Sequence, residues 1–149
     1  MARDFLNVDE QVQVKTAVAN AEVNTSGEIR LFLEEKCKGD VLDRAAFVFE
    51  KLEMHKTEGR NGVLFYLSTE DHHFAILGDA GINKVVPDNF WKEVRDVVIA
   101  AFKEGQYADG LCRGIEMAGS KLKEFFPYQS DDVNELSDDI AFGDEINEV

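Results

Sequence analysis

The sequence is poor in cysteine and proline, and basic residues are outnumbered by acidic ones. Its two cysteines, Cys37 and Cys112, stand far apart without the spacing of a zinc site or redox motif, so we expect two reduced thiols. The 16 Lys and Arg face 30 Asp and Glu, which gives a formal net charge of -14. Because nucleic acids and anionic lipids are normally bound by clustered Lys and Arg, we expect neither as a partner.

Long apolar runs are also missing. Nowhere do about 18 uncharged apolar residues follow one another, and the first residues lack the apolar stretch of a secretory signal. The sequence therefore predicts no membrane span and a cytoplasmic location. With 149 residues, of which 44% are hydrophobic, the chain can bury one sizeable core, so we expect one domain.

The composition changes after Pro127. The following segment carries no Lys or Arg, and its acidic residues are Asp131, Asp132, Glu135, Asp138, Asp139, Asp144, Glu145 and Glu148. We therefore expect residues 1–127 to form the domain and residues 128–149 to be an acidic, disordered tail. Apolar residues scattered through the tail leave open that part of it docks on a partner or on the domain; they are Leu136, Ile140, Phe142 and Ile146.

Apolar periodicity predicts four main helices, over residues 7–24, 40–52, 87–105 and 107–126, and three main strands, over residues 28–34, 63–67 and 73–78. In the second helix the apolar stripe is Leu42, Ala45, Ala46, Phe49 and Leu52. The first two strands should be parallel, joined by a helical crossover, and a short polar turn predicts that the third runs antiparallel. The predicted fold class is α/β: a three-layer α/β/α sandwich with a small mixed sheet, covered by about four main helices, and a fourth strand that the sequence does not place.

An ordered set of short motifs in this sequence resembles the TPM domain. The motifs are Thr25-Ser26-Gly27-Glu28-Ile29, Asn61-Gly62-Val63-Leu64, Gly78 to Asn83, Asp88 and Gly105 to Leu111, and together they cover roughly residues 7–126. The resemblance implies a Rossmann-like fold, divalent-cation binding and a weak acid-phosphatase activity, as proposed for some members. In the family a single residue often separates the glycines after the third strand, and a Glu follows. In this sequence two residues, Asp79 and Ala80, separate these glycines, and the Glu is missing. Many relatives also carry a signal peptide, a transmembrane anchor or a glycine-rich tail. None of these is seen in this sequence, so we do not expect a membrane-linked role.

Strand polarity brings polar residues to one edge of the predicted sheet. The first two strands begin where the third ends, so Glu28, Asn61 and Asp79 should converge there, with Asp88 nearby at the start of the next helix. Such oxygen ligands suit calcium or magnesium. We therefore expect a divalent-cation site with Glu28, Asp79 and Asp88 as metal ligands and Asn61 as a binding residue. Other roles stay open: helix capping for Asp88, a turn role for Asp79 and simple solvation for Glu28.

The opposite edge, where sheets of this class often bind ligands, carries Glu34, Glu35, Asp40, Glu70, Asp71, His72 and His73. Adjacent strand residues point to opposite faces, so His72 and His73 are not expected to share one ion. His55 follows the second helix, where a protonated ring favours the negative helix end, and it is not expected to be a ligand. No P-loop, GxSxG, HExxH or GxGxxG motif occurs, so nucleotide binding is not expected.

Two functional hypotheses follow. The first is a TPM-like domain that binds calcium or magnesium, with at most feeble hydrolysis of phosphomonoesters. This hydrolysis would depend on the cation, because no cysteine-arginine phosphate cradle is visible. The alternative is a non-catalytic adaptor whose acidic tail recruits a basic protein partner through Leu136, Ile140 and Phe142.

Overall fold

The computed structural model describes residues 1–128 and 139–146. Its helices are α1 (Val8–Glu22), α2 (Val41–Lys51), α3 (Ala80–Asn83), α4 (Phe90–Lys103) and α5 (Tyr107–Phe125). Its strands are β1 (Glu28–Glu34), β2 (Gly62–Ser68), β3 (Phe74–Gly78) and β4 (Ala141–Phe142). Short 3-10 turns lie at Ala2–Asp4, Met54–Lys56 and Gly143–Glu145. The predicted order of main helices and strands is confirmed, and β4 is the strand that the sequence did not place.

Two helix starts follow directly from capping residues. In α1, Asn7 accepts a hydrogen bond from the Glu10 amide at 2.8 Å, while the Glu10 side chain accepts one from the Asn7 amide at 2.9 Å. In α2, Asp40 accepts from the amides of Leu42 and Asp43. Both starts agree with the predicted ones, whereas α4 begins at Phe90, a few residues later than predicted.

The sheet is mixed, with the strand order β3-β2-β1-β4. Strands β1 and β2 are parallel, with Glu28 opposite Gly62, and β2 and β3 are antiparallel, with Val63 opposite Gly78. This confirms the predicted parallel crossover through α2 and the predicted hairpin. The amino ends of β1 and β2 and the carboxyl end of β3 therefore share one edge, which we call the amino edge.

Helices cover both faces of the sheet. Helices α1, α4 and α5 pack on the face of Ile29, Leu31 and Phe65, and α2 packs on the face of Phe32 and Tyr66. The three-layer α/β/α architecture is thus confirmed. Helix α5 lies very close to α4 because it presents glycine there: a Cβ at Gly114 would come within 2.6 Å of Val98 Cγ2.

The predicted apolar stripe of α2 is wrong in part. The buried positions of the helix are Arg44, Ala45, Val48 and Phe49, while Leu42 is 58% exposed and Ala46 is exposed. The physical reason is the ion pair of Arg44 with Glu34, which turns a charged residue toward the sheet. Leu42 is thereby left on the surface.

Strand β4 places residues of the predicted tail inside the fold. It runs parallel to β1, with Ala141 opposite Phe32 and Phe142 opposite Leu33. Ile140 and Phe142 join the core on one face and Ala141 joins it on the other, as alternation in a strand requires. Residues 139–146 therefore dock on the domain, beyond the predicted boundary at Pro127.

The remainder of the predicted tail, residues 129–138 and 147–149 with Leu136, lies outside the described residues. Among the helices of residues 1–128 and 139–146, none has the combination of length and apolar character that crossing a bilayer requires.

Candidate functional site

Three of the four predicted site residues lie at the amino edge. The amide of Glu28 donates to the carbonyl of Asn61 at 3.4 Å, and the amide of Asp79 donates to the carbonyl of Gly62 at 3.0 Å. All three residues are buried: Glu28 is 2% exposed, Asn61 1% and Asp79 7%. Strand polarity, which produced the prediction, also explains why residues so distant in sequence reach the same edge.

Asp79 is held by Arg60 and by the start of α3. Its carboxylate accepts hydrogen bonds from Arg60 Nε and Nη2, both at 2.7 Å, and from the Ala80 amide at 2.8 Å. Burial acts to raise the pKa of Asp79, but the hydrogen bonds from Arg60 and Ala80 outweigh it and hold the pKa below its usual value. Asp79 is therefore an ionised carboxylate whose partner, the Arg60 side chain, is 52% exposed.

The turn that carries Arg60 depends on Gly81. Arg60 adopts a left-handed backbone conformation, with φ of 49°, and its carbonyl accepts a hydrogen bond from the Gly81 amide at 2.8 Å. A Cβ at Gly81 would lie only 2.1 Å from the Gly59 carbonyl oxygen. The glycine therefore permits the close approach of two loops that brings Arg60 onto Asp79.

Two further buried polar atoms lie in this region. Asn61 Oδ1 and His55 Nδ1 have no hydrogen-bond partner within the described part of the chain, although Asn61 Nδ2 donates to Ser26 Oγ at 3.4 Å. His55 lies close enough to Asp79 for its charge to help lower the pKa of that carboxyl group. A buried polar atom without a hydrogen-bond partner costs about 1–3 kcal/mol, so each such atom needs an explanation.

The polar groups of the amino edge are not preassembled around one point. Alternation along the strands puts Glu28 and Asp79 on the α2 face, on either side of Gly62 and about 10 Å apart at the backbone, and it puts Asn61 on the opposite face. The Met54 carbonyl oxygen lies 3.2 Å from the position that a Gly62 Cβ would take. Within residues 1–128 and 139–146, no group of three His, Cys, Asp or Glu side chains is arranged to hold a metal ion.

Asp88 differs from the other predicted ligands because it is exposed. It lies in the turn before α4, whose N-cap residue is Asn89. The Asn89 side chain makes no capping bond but donates to Glu93 Oε1 at 2.9 Å. Asp88 therefore stands apart from the buried set of Glu28, Asn61 and Asp79.

The opposite edge, at the carboxyl ends of β1 and β2, contains a buried ion pair. The Glu34 carboxylate accepts hydrogen bonds from Arg44 Nε at 2.8 Å and Nη2 at 2.7 Å, and also from the Tyr66 hydroxyl. Burial and the bond to Glu34 raise the pKa of Tyr66. Since both oxygens of Glu34 are engaged, this residue stabilises the fold and is not available as a ligand.

A cavity of about 610 Å³ lies beside Glu34, between the ends of β1 and β4. Arg3, Lys36, Cys37 and Phe142 contribute to its lining. Helix α2, which follows β1, packs on one face of the sheet, and α5, which precedes β4, packs on the other. The cavity lies at the carboxyl ends of β1 and β4, where ligands often bind in α/β folds.

The comparisons with known proteins agree with this architecture. The family model of the TPM domain matches residues 2–121. The chain belongs to the TPM domain family. The comparison with curated protein sequences finds no match.

Solved structures of similar proteins include the BA42 protein of the psychrophilic bacterium Bizionia argentinensis, solved by NMR. It is 45% identical to this TPM domain, with a TM-score of 0.87, over 96% of this chain and 99% of that chain. The N-terminal domain of a P. gingivalis protein is 17% identical, with a TM-score of 0.69 over 85% and 83% of the two chains. The N-terminal domain of the cg2496 protein of Corynebacterium glutamicum is 13% identical, with a TM-score of 0.64 over 87% and 81%. The last two show the fold alone.

Two of the histidines of this TPM domain, His72 and His73, lie apart from its buried polar groups. His72 is exposed in the β2–β3 turn with φ of 56°, and its ring centroid lies 5.7 Å from that of Tyr107. His73 is also exposed. Asp71, in the same turn, accepts a hydrogen bond from the Cys37 amide at 2.9 Å and so ties this turn to the loop after β1.

Sequence reasoning missed Arg60, Arg44 and the position of His55 in this TPM domain. Arg60 is separated from Asp79 by a hairpin, and only its place between Gly59 and Asn61 hinted at a turn. Arg44 could have been found as a charged residue on a predicted helix whose partner strand ends in an acidic residue.

Proposed function

We propose that this TPM domain binds a divalent cation, calcium or magnesium, at the amino edge of its sheet. The ligands would be the carboxylates of Glu28 and Asp79 and the amide oxygen of Asn61. The observation that carries the proposal is the buried Asn61 Oδ1, which has no hydrogen-bond partner within the described residues and lies at the same edge as two buried carboxylates. Buried carboxylates are normally paired with a cation of the protein or coordinate a metal.

Arg60 would act as the competitor of the metal ion. Its guanidinium now neutralises Asp79, yet half of the Arg60 side chain is exposed, so it can turn into solvent once a metal ion neutralises Asp79 in its place. Calcium takes 6–8 oxygen ligands, so carbonyl groups such as that of Met54 and water would complete its shell. Because Arg60 and Met54 must shift and the three proposed ligands must draw together from separate positions at the edge, we expect weak binding.

Isothermal titration calorimetry with calcium and with magnesium tests the proposal. We expect Glu28→Gln and Asp79→Asn each to weaken binding by roughly tenfold or more, since each removes a charged ligand. Arg60→Gln should strengthen binding, because it removes the competing cation. The exposed Asp88 lies outside the proposed inner ligand set, so Asp88→Asn should have a smaller effect than either.

The matched control is Glu35→Gln, which removes an exposed charge at the opposite edge of the sheet. It should leave the affinity unchanged. No binding heat at millimolar metal would refute the proposal, and so would an equal loss in Glu35→Gln and Asp79→Asn, which would indicate attraction to net charge alone.

A weak hydrolysis of phosphomonoesters is the finer part of the proposal. Family membership supports it, and a bound divalent cation would supply electrostatic stabilisation of the phosphate group. Hydrolysis of p-nitrophenyl phosphate should then disappear both with a chelator and in the Asp79→Asn variant. Activity that survives both changes would arise elsewhere.

A further inference from the structure

Strand β3 is an edge strand of the sheet that residues 1–128 and 139–146 form. The amide of Asp79 bonds to Gly62 and the amide of Ser68 bonds to the carbonyl of His73, so odd-numbered residues of β3 face β2. In an antiparallel ladder the residues between them point their backbone groups away. The carbonyl of Gly78 accepts from Asn83 Nδ2 at 2.8 Å. The N–H and C=O groups of Phe74 and Ile76 have no partner strand within the described part of the chain.

A groove of about 310 Å³ runs along this edge between α2 and α4, and we call it the β3 groove. Ile76 lies on its floor, Leu42 on its α2 side, and Trp91 on its α4 side. Leu42 is 58% exposed, so its side chain is accessible to a ligand in the groove. The position of Trp91 is fixed by its indole N–H, which donates to Asn83 Oδ1 at 2.8 Å.

The charge of the β3 groove is opposite to that of the whole protein. Its charged lining residues, within the described part of the chain, are Lys92 and Arg95, although the formal net charge is -14. Lys92 contacts Asp96 at 2.8 Å, but both side chains are largely exposed, at 77% and 55%. Such a surface pair is weak enough for Lys92 to turn toward a ligand.

We propose that the β3 groove binds an extended acidic peptide of a partner protein by β-strand addition. The peptide backbone would pair with the outward N–H and C=O groups of Phe74 and Ile76. Its apolar side chains would contact Leu42 and Trp91, and its carboxylates would contact Lys92 and Arg95. A second copy of this chain is a poorer occupant. Two-fold pairing of β3 with β3 would bring Lys92 and Arg95 of one copy close to the same two residues of the other, and these positive charges would repel each other.

Trp91 provides the readout, since it is the only tryptophan of the chain. We expect a short acetylated peptide of alternating valine and glutamate to change its fluorescence saturably, with an affinity that falls as salt rises. Peptide binding should also slow hydrogen exchange of the Phe74 and Ile76 amides. A peptide of alternating valine and lysine should not bind.

Substitutions test the contributions of charge and of backbone pairing to peptide binding separately. The double variant Lys92→Glu with Arg95→Glu should weaken binding of the valine-glutamate peptide by roughly tenfold or more. The control Arg113→Glu reverses an exposed charge on α5 that does not line the groove and should change nothing. Ile76→Pro removes an outward N–H without removing a bond to β2, so it should abolish binding while thermal unfolding stays cooperative.

Three outcomes would overturn this inference. One is no saturable fluorescence change at millimolar peptide, and another is equal binding by the Arg113→Glu and Lys92/Arg95 variants. The third is concentration-dependent dimerisation that Ile76→Pro removes, which would assign the groove to a second copy of this chain. None of these measurements involves the amino-edge residues Glu28, Asn61 or Asp79, so the cation proposal is tested separately.

Discussion

At the scale of single residues, Glu34 illustrates how a buried charge can serve the fold. It is 6% exposed, and its carboxylate is shared between the guanidinium of Arg44 and the hydroxyl of Tyr66. Removing two charges from water costs several kcal/mol per ion, and good hydrogen-bond geometry offsets this cost. Loss of one partner leaves the other charge buried and uncompensated, so the network should be sensitive to single substitutions.

We therefore expect Arg44→Met to lower the free energy of unfolding by about 3–5 kcal/mol, because it leaves the Glu34 carboxylate buried without its cationic partner. Tyr66→Phe should cost about 1.5–3 kcal/mol, since it removes one hydrogen bond to a charged group. Urea unfolding followed by circular dichroism measures both values. The exposed pair of Arg113 and Asp109 supplies the control, and Arg113→Met should have little effect. Equal losses in Arg44→Met and Arg113→Met would show that burial does not matter here.

The sequence predicted which residues share the amino edge but not how they pair. Strand direction can be inferred from apolar runs and connection lengths. This inference placed Glu28, Asn61 and Asp79 at the amino edge, where the structure has them. The Arg60 contact depends on a left-handed turn and on the close approach of Gly81, neither of which has a periodic signal. Tyr66 was visible only as one residue of an apolar run, so its bond to Glu34 could not be foreseen.

At the scale of secondary-structure elements, β4 is the clearest departure from expectation. It has 2 residues, too few for any periodicity, and the surrounding acidic residues conceal it in composition. Contacts with Arg3 compensate for its shortness. Arg3 Nη2 lies 2.7 Å from Asp144 Oδ1, and its guanidinium lies 4.4 Å from the centre of the Phe142 ring. The segment is thus fixed by long-range contacts that a sequence alone does not reveal.

If β4 belongs to the cooperative unit, Phe142→Ala should lower the free energy of unfolding by about 3 kcal/mol, since Phe142 is 8% exposed. Hydrogen exchange of β1 amides should speed up as that strand becomes an edge. Val12→Ala is a suitable control because Val12 is 57% exposed on α1. If both variants had the same stability, β4 would be only loosely attached. Chemical denaturation and exchange mass spectrometry would distinguish these cases.

At the scale of the whole molecule, the docked segment changes how the adaptor hypothesis can be examined. Deleting residues 128–149 would remove β4 together with the acidic charges, so a lost interaction could reflect an opened sheet. Neutralising Asp131, Asp132, Glu135 and Asp138 by amide substitution leaves residues 139–146 in place. A basic partner that binds through the acidic charges would be lost in that variant, while the fold stays intact.

The net charge also affects any measurement of cation binding, because metal ions screen repulsion whether or not they have a site. With a formal charge of -14, the melting temperature should rise with sodium chloride as the screening length falls to about 10 Å near 0.1 M. A cation bound to the native state adds a further rise that depends on its concentration relative to its dissociation constant.

We therefore expect calcium or magnesium to raise the melting temperature above that of sodium chloride at matched ionic strength. Asp79→Asn should abolish this difference, because it removes a proposed ligand, yet keep the response to sodium chloride, because the net charge barely changes. Differential scanning calorimetry across a salt series measures both effects. If the Asp79→Asn variant kept the whole divalent increment, the stabilisation would come from diffuse screening of the acidic surface, and the amino edge would not be its source.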